Sequence, residues 1–151
     1  MSSRKIEDLT PRMQVKVNRL IEILKEKNME YFKISCTYRS QEEQNALFSR
    51  GRYALEYVNK MYVMAGMAKI TDNENLKPIT WTKNSIHIQR EAVDFYINKD
   101  GKYCNDLKVD IDGDGIQDWE EFGLIVEECG LEWGGRWSKP KQDIPHVQWK
   151  D

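Results

Sequence analysis

The two histidines of this chain are the residues whose type and spacing most suggest chemistry. His87 lies in the segment S-I-H-I-Q-R-E-A-V-D-F-Y with Asp94 seven residues later, and His146 lies in D-I-P-H-V-Q-W near the C-terminus. Two imidazoles and one carboxylate, with a fourth position open to water, form the ligand set of a catalytic zinc. The His-x6-Asp spacing alone is not specific, so two ordinary surface or core histidines are the alternative at this point.

A second candidate metal site is the acidic segment from Asp110 to Glu121, D-I-D-G-D-G-I-Q-D-W-E-E. It fits the twelve-residue EF-hand pattern at every diagnostic position, including the glycine at position six. Crowded carboxylates repel one another unless a cation lies among them. The alternative is a solvated acidic turn. The predicted calcium ligands are Asp110, Asp112, Asp114, the carbonyl of Ile116, Asp118 and Glu121.

Helices that could position these residues are predicted from apolar periodicity and from capping residues. Thr10-Pro11 is typical of a helix start, and Ser40 with Glu43 is typical of a capping box. A helix is predicted after the acidic loop but none before it, so we expect a single calcium loop. The predicted helices are Pro11 to about Lys27, Gln41 to about Ser49, Tyr53 to Ala68, and Trp119 to Cys129.

Strands are predicted where aromatic and β-branched residues cluster between turn residues. Asn98 to Gly101 is interpreted as a hairpin turn, and Gly134-Gly135 as a tight turn between the last two strands. Both histidines fall in contexts that favour strands. The predicted strands are Tyr31 to Tyr38, a short one at Ile79 to Thr82, Ala92 to Ile97, Leu131 to Trp133, and Pro145 to Trp149.

Composition limits the classes of protein to consider. A length of 151 residues, with 40% hydrophobic and 32% charged residues, predicts one globular domain over 1–151. The net charge of −2 argues against a nucleic-acid partner, and no apolar run is long enough for membrane insertion. The N-terminus lacks a secretory pattern, which predicts synthesis in a cytoplasm. The three cysteines form no Cys-x-x-Cys pair and are expected to be reduced.

Two further segments complete a pattern with S-I-H-I-Q-R-E-A-V-D-F. They are T-Y-R-S-Q-E-E-Q-N-A-L-F-S-R-G-R from Thr37 and G-L-E-W-G-G-R-W-S-K-P-K-Q-D-I-P-H-V-Q-W from Gly130. In this order they resemble the zinc peptidases that cut peptidoglycan stem peptides. That family includes D-alanyl-D-alanine carboxypeptidases and the L-alanyl-D-glutamate endopeptidases of phage endolysins, and G-L-E-W-G-G is most similar to the second branch. The resemblance spans Thr37 to Gln148.

The resemblance implies an α+β fold in which helices pack on a small antiparallel sheet that carries the zinc site, as in hedgehog-like and DD-peptidase domains. It also implies a role for each matching residue. Asp143 would be the general base and Arg39 the cation that faces the substrate. Apart from the resemblance, Ser85 is interpreted as orienting the substrate or the ring of His87, although it could equally cap a turn. Trp137 is interpreted as a core residue or as a cleft wall that contacts the substrate. The implied zinc ligands are His87, Asp94 and His146.

The chain also departs from the family pattern. Arg90 stands where glycine is usual, Arg136 stands where an acidic residue is common, and Val147 replaces an aromatic residue. The connection from Tyr53 to Pro78 is longer than usual and is interpreted as a lid or a substrate wall.

The sequence thus predicts a zinc metallopeptidase, an endolysin of a bacteriophage, that cleaves the L-alanyl-D-glutamate bond of the peptidoglycan stem peptide. We expect a monomer that is made in the host cytoplasm without a signal peptide and acts on the cell wall. One alternative is a D-alanyl-D-alanine carboxypeptidase with the same site. The other is a zinc- and calcium-stabilised wall-binding module without turnover, which would need neither Asp143 nor Arg39.

Overall fold

The computed structural model describes residues 2–151, and all statements below concern that range. The α-helices are α1 (Pro11–Glu26), α2 (Gln41–Ser49), α3 (Leu55–Met64) and α4 (Asp118–Glu128). The strands are β1 (Phe32–Cys36), β2 (Ala92–Lys99), β3 (Lys102–Cys104), β4 (Leu131–Trp133) and β5 (His146–Trp149). Short 3-10 turns lie at Ile6–Asp8, Glu74–Leu76 and Gly134–Arg136.

The strands form one antiparallel sheet in the order β1-β2-β5-β4, and β3 pairs with the far end of β2. The α+β fold with a small antiparallel sheet is therefore confirmed. The long strand β2 is central because β1 pairs along one side of it, whereas β5 and β3 pair with its two ends on the other side. Asp100 and Gly101 both have positive φ, which the predicted two-residue hairpin between β2 and β3 requires.

The main core lies on one face of this sheet, beneath α1 and α4. Along β2, Val93, Phe95 and Ile97 all point into it, because side chains alternate between the two faces of a strand. Phe122 of α4 stacks on Phe32 of β1, with ring centroids 4.6 Å apart. This packing leaves the side chain of Asp94 on the opposite face of the sheet.

Both helix starts predicted from capping residues are found. Thr10 Oγ1 accepts a hydrogen bond from the backbone N–H of Met13, and Ser40 Oγ accepts one from that of Glu43. A smaller second cluster joins α2 to α3 through Ala46, Val58 and Tyr62. The long connection from Tyr53 to Pro78 therefore includes a short helix that packs on α2.

Two local predictions are wrong. The segment from Ile79 to Thr82 is not a strand, because its carbonyl groups bond to side chains of Gln44 and Arg52 instead of to a neighbouring strand. Gly134-Gly135 does not join β4 to β5 as a tight turn. It opens a longer loop that returns at His146. No helix in residues 2–151 has both the length and the apolar character needed to cross a membrane.

Candidate metal centre and cleft

The sheet register brings the first two candidate metal ligands together. Asp94 of β2 pairs with Cys36 of β1 on one side and with His146 of β5 on the other. Directly opposed residues in antiparallel strands project from the same face. Asp94 therefore lies in the middle of a row of three potential metal ligands, on the face of the sheet opposite the main core.

The third candidate ligand, His87, arrives on a turn and not on the strand that its sequence context predicted. Ser85 Oγ accepts a hydrogen bond from the His87 N–H, so Ser85 caps this turn. Arg90 closes the turn with φ of 63°, in the left-handed region that favours glycine. Its guanidinium lies over the ring of Tyr38 and donates to the carbonyl of Asp8. These contacts hold the turn beside His87 without a glycine.

The ring of His87 is buried and its two nitrogens have different surroundings. Nδ1 lies 3.1 Å from the carbonyl oxygen of Thr37, which can only accept a hydrogen bond. Nε2 lies 3.2 Å from Asp94 Oδ2 but is not oriented to hydrogen-bond with it, and no other partner reaches this atom. A buried polar atom without a partner is costly unless something else binds it.

The ring of His146 faces Asp94 with Nδ1, whereas that of His87 faces it with Nε2. Nδ1 of His146 lies 3.2 Å from Asp94 Oδ1, and its Nε2 lies 2.9 Å from Gln148 Oε1. The two imidazole centroids are 5.2 Å apart. Asp94 thus lies between the two rings, with one carboxylate oxygen 3.2 Å from Nε2 of His87 and the other 3.2 Å from Nδ1 of His146.

The charges in this region show how strongly it attracts a cation. Burial alone would lower the pKa of His87, but Asp94 and Cys36 outweigh burial and raise it to about 10. Burial would raise the pKa of Asp94, but His146 and His87 outweigh it and lower that pKa below its usual range. Both shifts show that a positive charge is favoured beside Asp94, and a metal bound by His87 would need the neutral ring.

This set of donors fits zinc, which takes neutral imidazole nitrogens and carboxylate oxygens. Cys36 is a competing donor, because its ligand atom and those of His87 and Asp94 lie within 4.8 Å of one another. However, Cys36 Sγ lies 3.7 Å from Nδ1 of His87, on the side that faces Thr37, and also 3.7 Å from a nitrogen of Arg39. Cys36 therefore lies beside the ring nitrogen that faces Thr37, whereas Nε2 is the nitrogen of His87 nearest Asp94.

Asp143 completes the cluster. Its carboxylate, that of Asp94 and a ring nitrogen of His146 lie within 4.8 Å of one another. Partial desolvation in the cleft and the charge of Asp94 raise the pKa of Asp143, whereas His146, His87 and Arg39 act in the other direction. A β-carbon at Gly134 would lie 2.3 Å from the Asp143 carbonyl oxygen, so glycine is needed there for the loop to approach.

Arg39 lies at the inner end of the cleft. One of its terminal nitrogens lies 3.9 Å from Asp94 Oδ2, and the other donates to Gln44 Oε1 at 2.9 Å. Gln44 is fully buried and also donates to the carbonyl of Thr82 at 2.7 Å. The side chain of Gln44 therefore connects Arg39 to Thr82, a residue of the cleft wall.

The cluster opens into a cleft with a volume of about 1220 Å3. The ring of Trp137 contacts His146 on one side, with centroids 5.2 Å apart. The exposed side chains of Ile79 and Trp81 also line the cleft. This part of the cleft is thus built by residues that follow the long connection, and no residue of 53–78 lines the cleft.

The two unusual arginines differ in their relation to the cleft. Arg136 lines it, but its guanidinium is paired with Glu120 at 2.6 Å and with Glu127 at 2.9 Å. Arg90 does not line it and bonds to Asp8. Lys141 also lines the cleft and has no ion-pair partner within residues 2–151. These pairings leave Arg39 and Lys141 as the cations most available to a bound substrate.

The acidic loop is folded around its own backbone amides. Asp110 accepts hydrogen bonds from the N–H groups of Gly113 and Gly115, and Asp114 accepts one from that of Ile116. Ligand atoms of Asp110, Asp112 and Asp118 lie within 4.8 Å of one another, as do those of Asp112, Asp114 and Glu121. The sequence-predicted carboxylates are therefore brought together.

Asp118 is the fully buried carboxylate of this loop. Its Oδ2 accepts a hydrogen bond from the N–H of Ile111 while Oδ1 has no partner. Glu121 Oε2 is also buried without a partner. Burial and the neighbouring carboxylates raise the pKa of both groups. On Asp118 the N–H of Ile111 and the hydroxyl of Tyr31 act in the other direction, as Lys27 does on Glu121.

Sequence reasoning missed the residues that orient the two histidines. Thr37 acts through its carbonyl, which no residue-type pattern reports. Gln148 had a usable signal, because it lies two residues after His146 on a predicted strand and so shares its face. Glu132 faces Gln148 across β4 and β5, but this pairing depends on a register that the sequence does not reveal.

A small antiparallel sheet that carries two histidines and an aspartate beneath an open cleft is the arrangement expected of the zinc peptidases of peptidoglycan. The comparisons with known proteins confirm that resemblance. Residues 79–149 match the family model described as D-alanyl-D-alanine carboxypeptidase. That segment includes His87, Asp94, Asp143 and His146.

Two individual proteins are similar to the chain. The peptidoglycan L-alanyl-D-glutamate endopeptidase CwlK of Bacillus subtilis is 30% identical over 112 residues, which is 74% of this chain and 56% of that protein. The chain thus spans little more than half the length of this relative. The crystal structure of the L-Ala D-Glu endopeptidase ChiX of Serratia marcescens superposes with a TM-score of 0.55 at 21% identity, over 99% of this chain and 89% of that one. At that identity the second comparison supports the fold alone.

The geometry makes a direct prediction about metal content. After incubation with zinc and dialysis, elemental analysis should find about one zinc per chain in the wild type, because one site offers two imidazoles and a carboxylate. The double variant His87→Ala, His146→Ala should lose it. Cys36→Ser should keep it, because Cys36 lies on the far side of His87. Zinc retained by the double variant, or lost from Cys36→Ser, would contradict this ligand set.

Proposed function

We propose that this chain is a zinc-dependent peptidase that hydrolyses the L-alanyl-D-glutamate bond of peptidoglycan stem peptides. The observation that carries the proposal is the position of Asp94 between the two histidines, 3.2 Å from Nε2 of His87 and 3.2 Å from Nδ1 of His146, with Asp143 beside it in one open cleft. The similarity to CwlK of Bacillus subtilis supports the choice of substrate and of bond.

Each residue of the cluster has a role in this proposal. Zinc held by His87, Asp94 and His146 would supply a Lewis acid for the scissile carbonyl and its attacking water. Asp143 would accept a proton from that water on its carboxylate and pass it to the leaving amine. A raised pKa suits this role, because it makes the carboxylate of Asp143 a stronger proton acceptor while the proton can still be transferred to the amine. Arg39 would stabilise the negative charge that develops on the carbonyl oxygen.

The similarity to CwlK favours an endopeptidase over a carboxypeptidase. A carboxypeptidase holds the terminal carboxylate of its substrate, commonly with an available cation. Because Arg136 is already paired with two glutamates and Arg90 lies outside the cleft, that role would fall to Arg39 or Lys141. Ser85 and Trp137 line the cleft and are proposed to contact the substrate, although Ser85 also caps the His87 turn. We further propose that the chain is a single domain that acts as a monomer, and that it serves in bacteriophage lysis.

The bond that is cut can be identified by digesting a purified disaccharide-tetrapeptide with the zinc-loaded protein. Mass spectrometry should find a peptide that begins with D-glutamate, with L-alanine left on the sugar. The His87→Ala, His146→Ala variant should release nothing. Release of terminal D-alanine alone would replace the proposal with the carboxypeptidase, and no release from any muropeptide would favour a binding module.

Substitution of the proposed base should separate chemistry from metal binding. Asp143→Asn keeps the shape of the side chain but removes the proton acceptor, so kcat should fall by roughly 10²-fold or more. Zinc content and the thermal midpoint should stay near those of wild type. Asp106→Asn, which makes the same change away from the cleft, should keep full activity. Turnover close to wild type in Asp143→Asn would reject the role.

We also propose that the loop from Asp110 to Glu121 binds calcium and stabilises the fold. Two buried oxygen atoms without partners, one on Asp118 and one on Glu121, support this proposal alongside the complete ligand pattern. The loop leads directly into α4, whose Trp119 and Phe122 are buried in the main core. A cation in the loop would therefore fix the start of a helix on which that core depends.

Calcium should raise the thermal midpoint by mass action on the folded state. Because the pKa values of Asp118 and Glu121 are raised in the ion-free loop, their protonation favours the folded state, and this contribution is lost as pH rises through those values. Calcium needs the ionised forms, so its stabilising effect should be larger at about pH 7 than at about pH 4.5. Differential scanning fluorimetry with calcium or with chelator, at each pH, measures the shift of the midpoint and its dependence on pH.

A matched pair of variants isolates the loop. Asp112→Asn with Asp114→Asn should abolish the shift caused by calcium, whereas Asp100→Asn with Asp106→Asn, outside the loop, should retain it. Equal thermal midpoints with calcium and with chelator in the wild type at pH 7 would contradict calcium binding and support a solvated acidic turn.

A further inference from the structure

Gln148 and Glu132 lie beside the metal centre without belonging to its ligands. Gln148 follows His146 by two residues on β5 and therefore projects from the same face of the sheet. Glu132 of β4 is directly opposite Gln148 in the register. Both side chains are partly buried next to the cleft.

These side chains form a chain of hydrogen bonds that ends on His146. The indole N–H of Trp137 lies 3.2 Å from Glu132 Oε2, and Gln148 Nε2 lies 3.0 Å from the same oxygen. Gln148 Oε1 lies 2.9 Å from His146 Nε2. The chain thus connects a wall of the cleft to a candidate metal ligand.

The chemistry of the groups sets the direction of every hydrogen bond. An ionised Glu132 can only accept, so the amide nitrogen of Gln148 must face it. The carbonyl oxygen of Gln148 then faces His146 and can only accept, so His146 Nε2 must carry a hydrogen. In the neutral ring the lone pair is then on Nδ1, the nitrogen that lies 3.2 Å from Asp94.

We propose that Glu132 and Gln148 are positioning residues that fix His146 in the tautomer and orientation in which Nδ1 faces the metal. The inference rests on the zinc site proposed above and adds to it two residues that do not touch the metal. Glu132 acts through Gln148, because its carboxylate selects which end of the amide group faces the histidine. Partners of this kind typically contribute 10- to 100-fold to metal affinity in proteins.

The test is zinc affinity, measured by competition with a chromophoric chelator. Gln148→Leu should weaken zinc binding by roughly 10-fold or more, because His146 loses the acceptor that fixes its tautomer. Gln142→Leu makes the same change at a cleft residue that bonds to the carbonyl of Gly135, and it should bind zinc like the wild type. The thermal midpoints of the metal-free proteins show whether either variant is merely unfolded.

An exchange of the two side chains distinguishes positioning from packing. In the double variant Glu132→Gln, Gln148→Glu the carboxylate at position 148 still accepts a hydrogen bond from His146 Nε2. The amide at position 132 donates to that carboxylate through its nitrogen and accepts from the indole N–H of Trp137 through its oxygen. This variant should bind zinc at least as tightly as the wild type. Gln148→Glu alone should bind less tightly, because it places two carboxylates side by side.

The outcomes separate this inference from the proposal on which it depends. A wild type that binds no zinc would reject the zinc site itself. A wild type that binds zinc, with Gln148→Leu binding equally well, would overturn the positioning role. The positioning role would also be overturned if the exchange variant lost as much affinity as Gln148→Leu while its metal-free form kept its thermal midpoint.

Discussion

The position of Asp94 between two neighbouring strands is the constraint on which the rest of the site depends. Its carboxylate lies 3.2 Å from a nitrogen of each histidine, and with its side chain only 21% exposed its charge is costly unless a cation compensates it. The central strand β2 provides this position because it pairs with β1 on one side and with β5 on the other. Its neighbouring residues Val93 and Phe95 anchor the strand in the main core.

Around this carboxylate, the fold uses groups that can only accept hydrogen bonds to orient the two rings. A backbone carbonyl, that of Thr37, turns Nε2 of His87 toward Asp94. A side-chain carbonyl, that of Gln148, turns Nδ1 of His146 toward it. Asp94 thus faces Nε2 of one ring and Nδ1 of the other. The open side that remains is where Asp143 lies.

Much of this arrangement could be predicted from sequence where local chemistry determines structure. The start of α1 at Pro11 and the start of α2 after Ser40 depend on caps within a few residues, and both are found. The core strand around Asp94 follows from its alternating apolar residues. The family motifs indicated which distant residues would meet, although periodicity alone could not have brought His87 and His146 together.

The features that were missed depend on contacts between distant parts of the chain. The segment at Ile79–Thr82 has strand-like residues, but its carbonyls accept hydrogen bonds from buried Gln44 and half-buried Arg52. Arg90 occupies a backbone conformation that favours glycine, because contacts with Tyr38 and Asp8 hold its side chain. The pairing of Glu132 with Gln148 needs the register of two strands that are separated by a loop. None of these contacts has a signature within a short window of sequence.

The opposed orientation of the two rings can be measured directly by long-range 1H–15N correlation NMR of the zinc-loaded protein. The chain has two histidines, so the imidazole signals are few and can be assigned with one variant of each. We predict that His87 carries its hydrogen on Nδ1 and binds zinc through Nε2, whereas His146 carries its hydrogen on Nε2 and binds through Nδ1. Both rings bound through the same type of nitrogen, or a His146 ring that stays protonated on both, would contradict this description of the site.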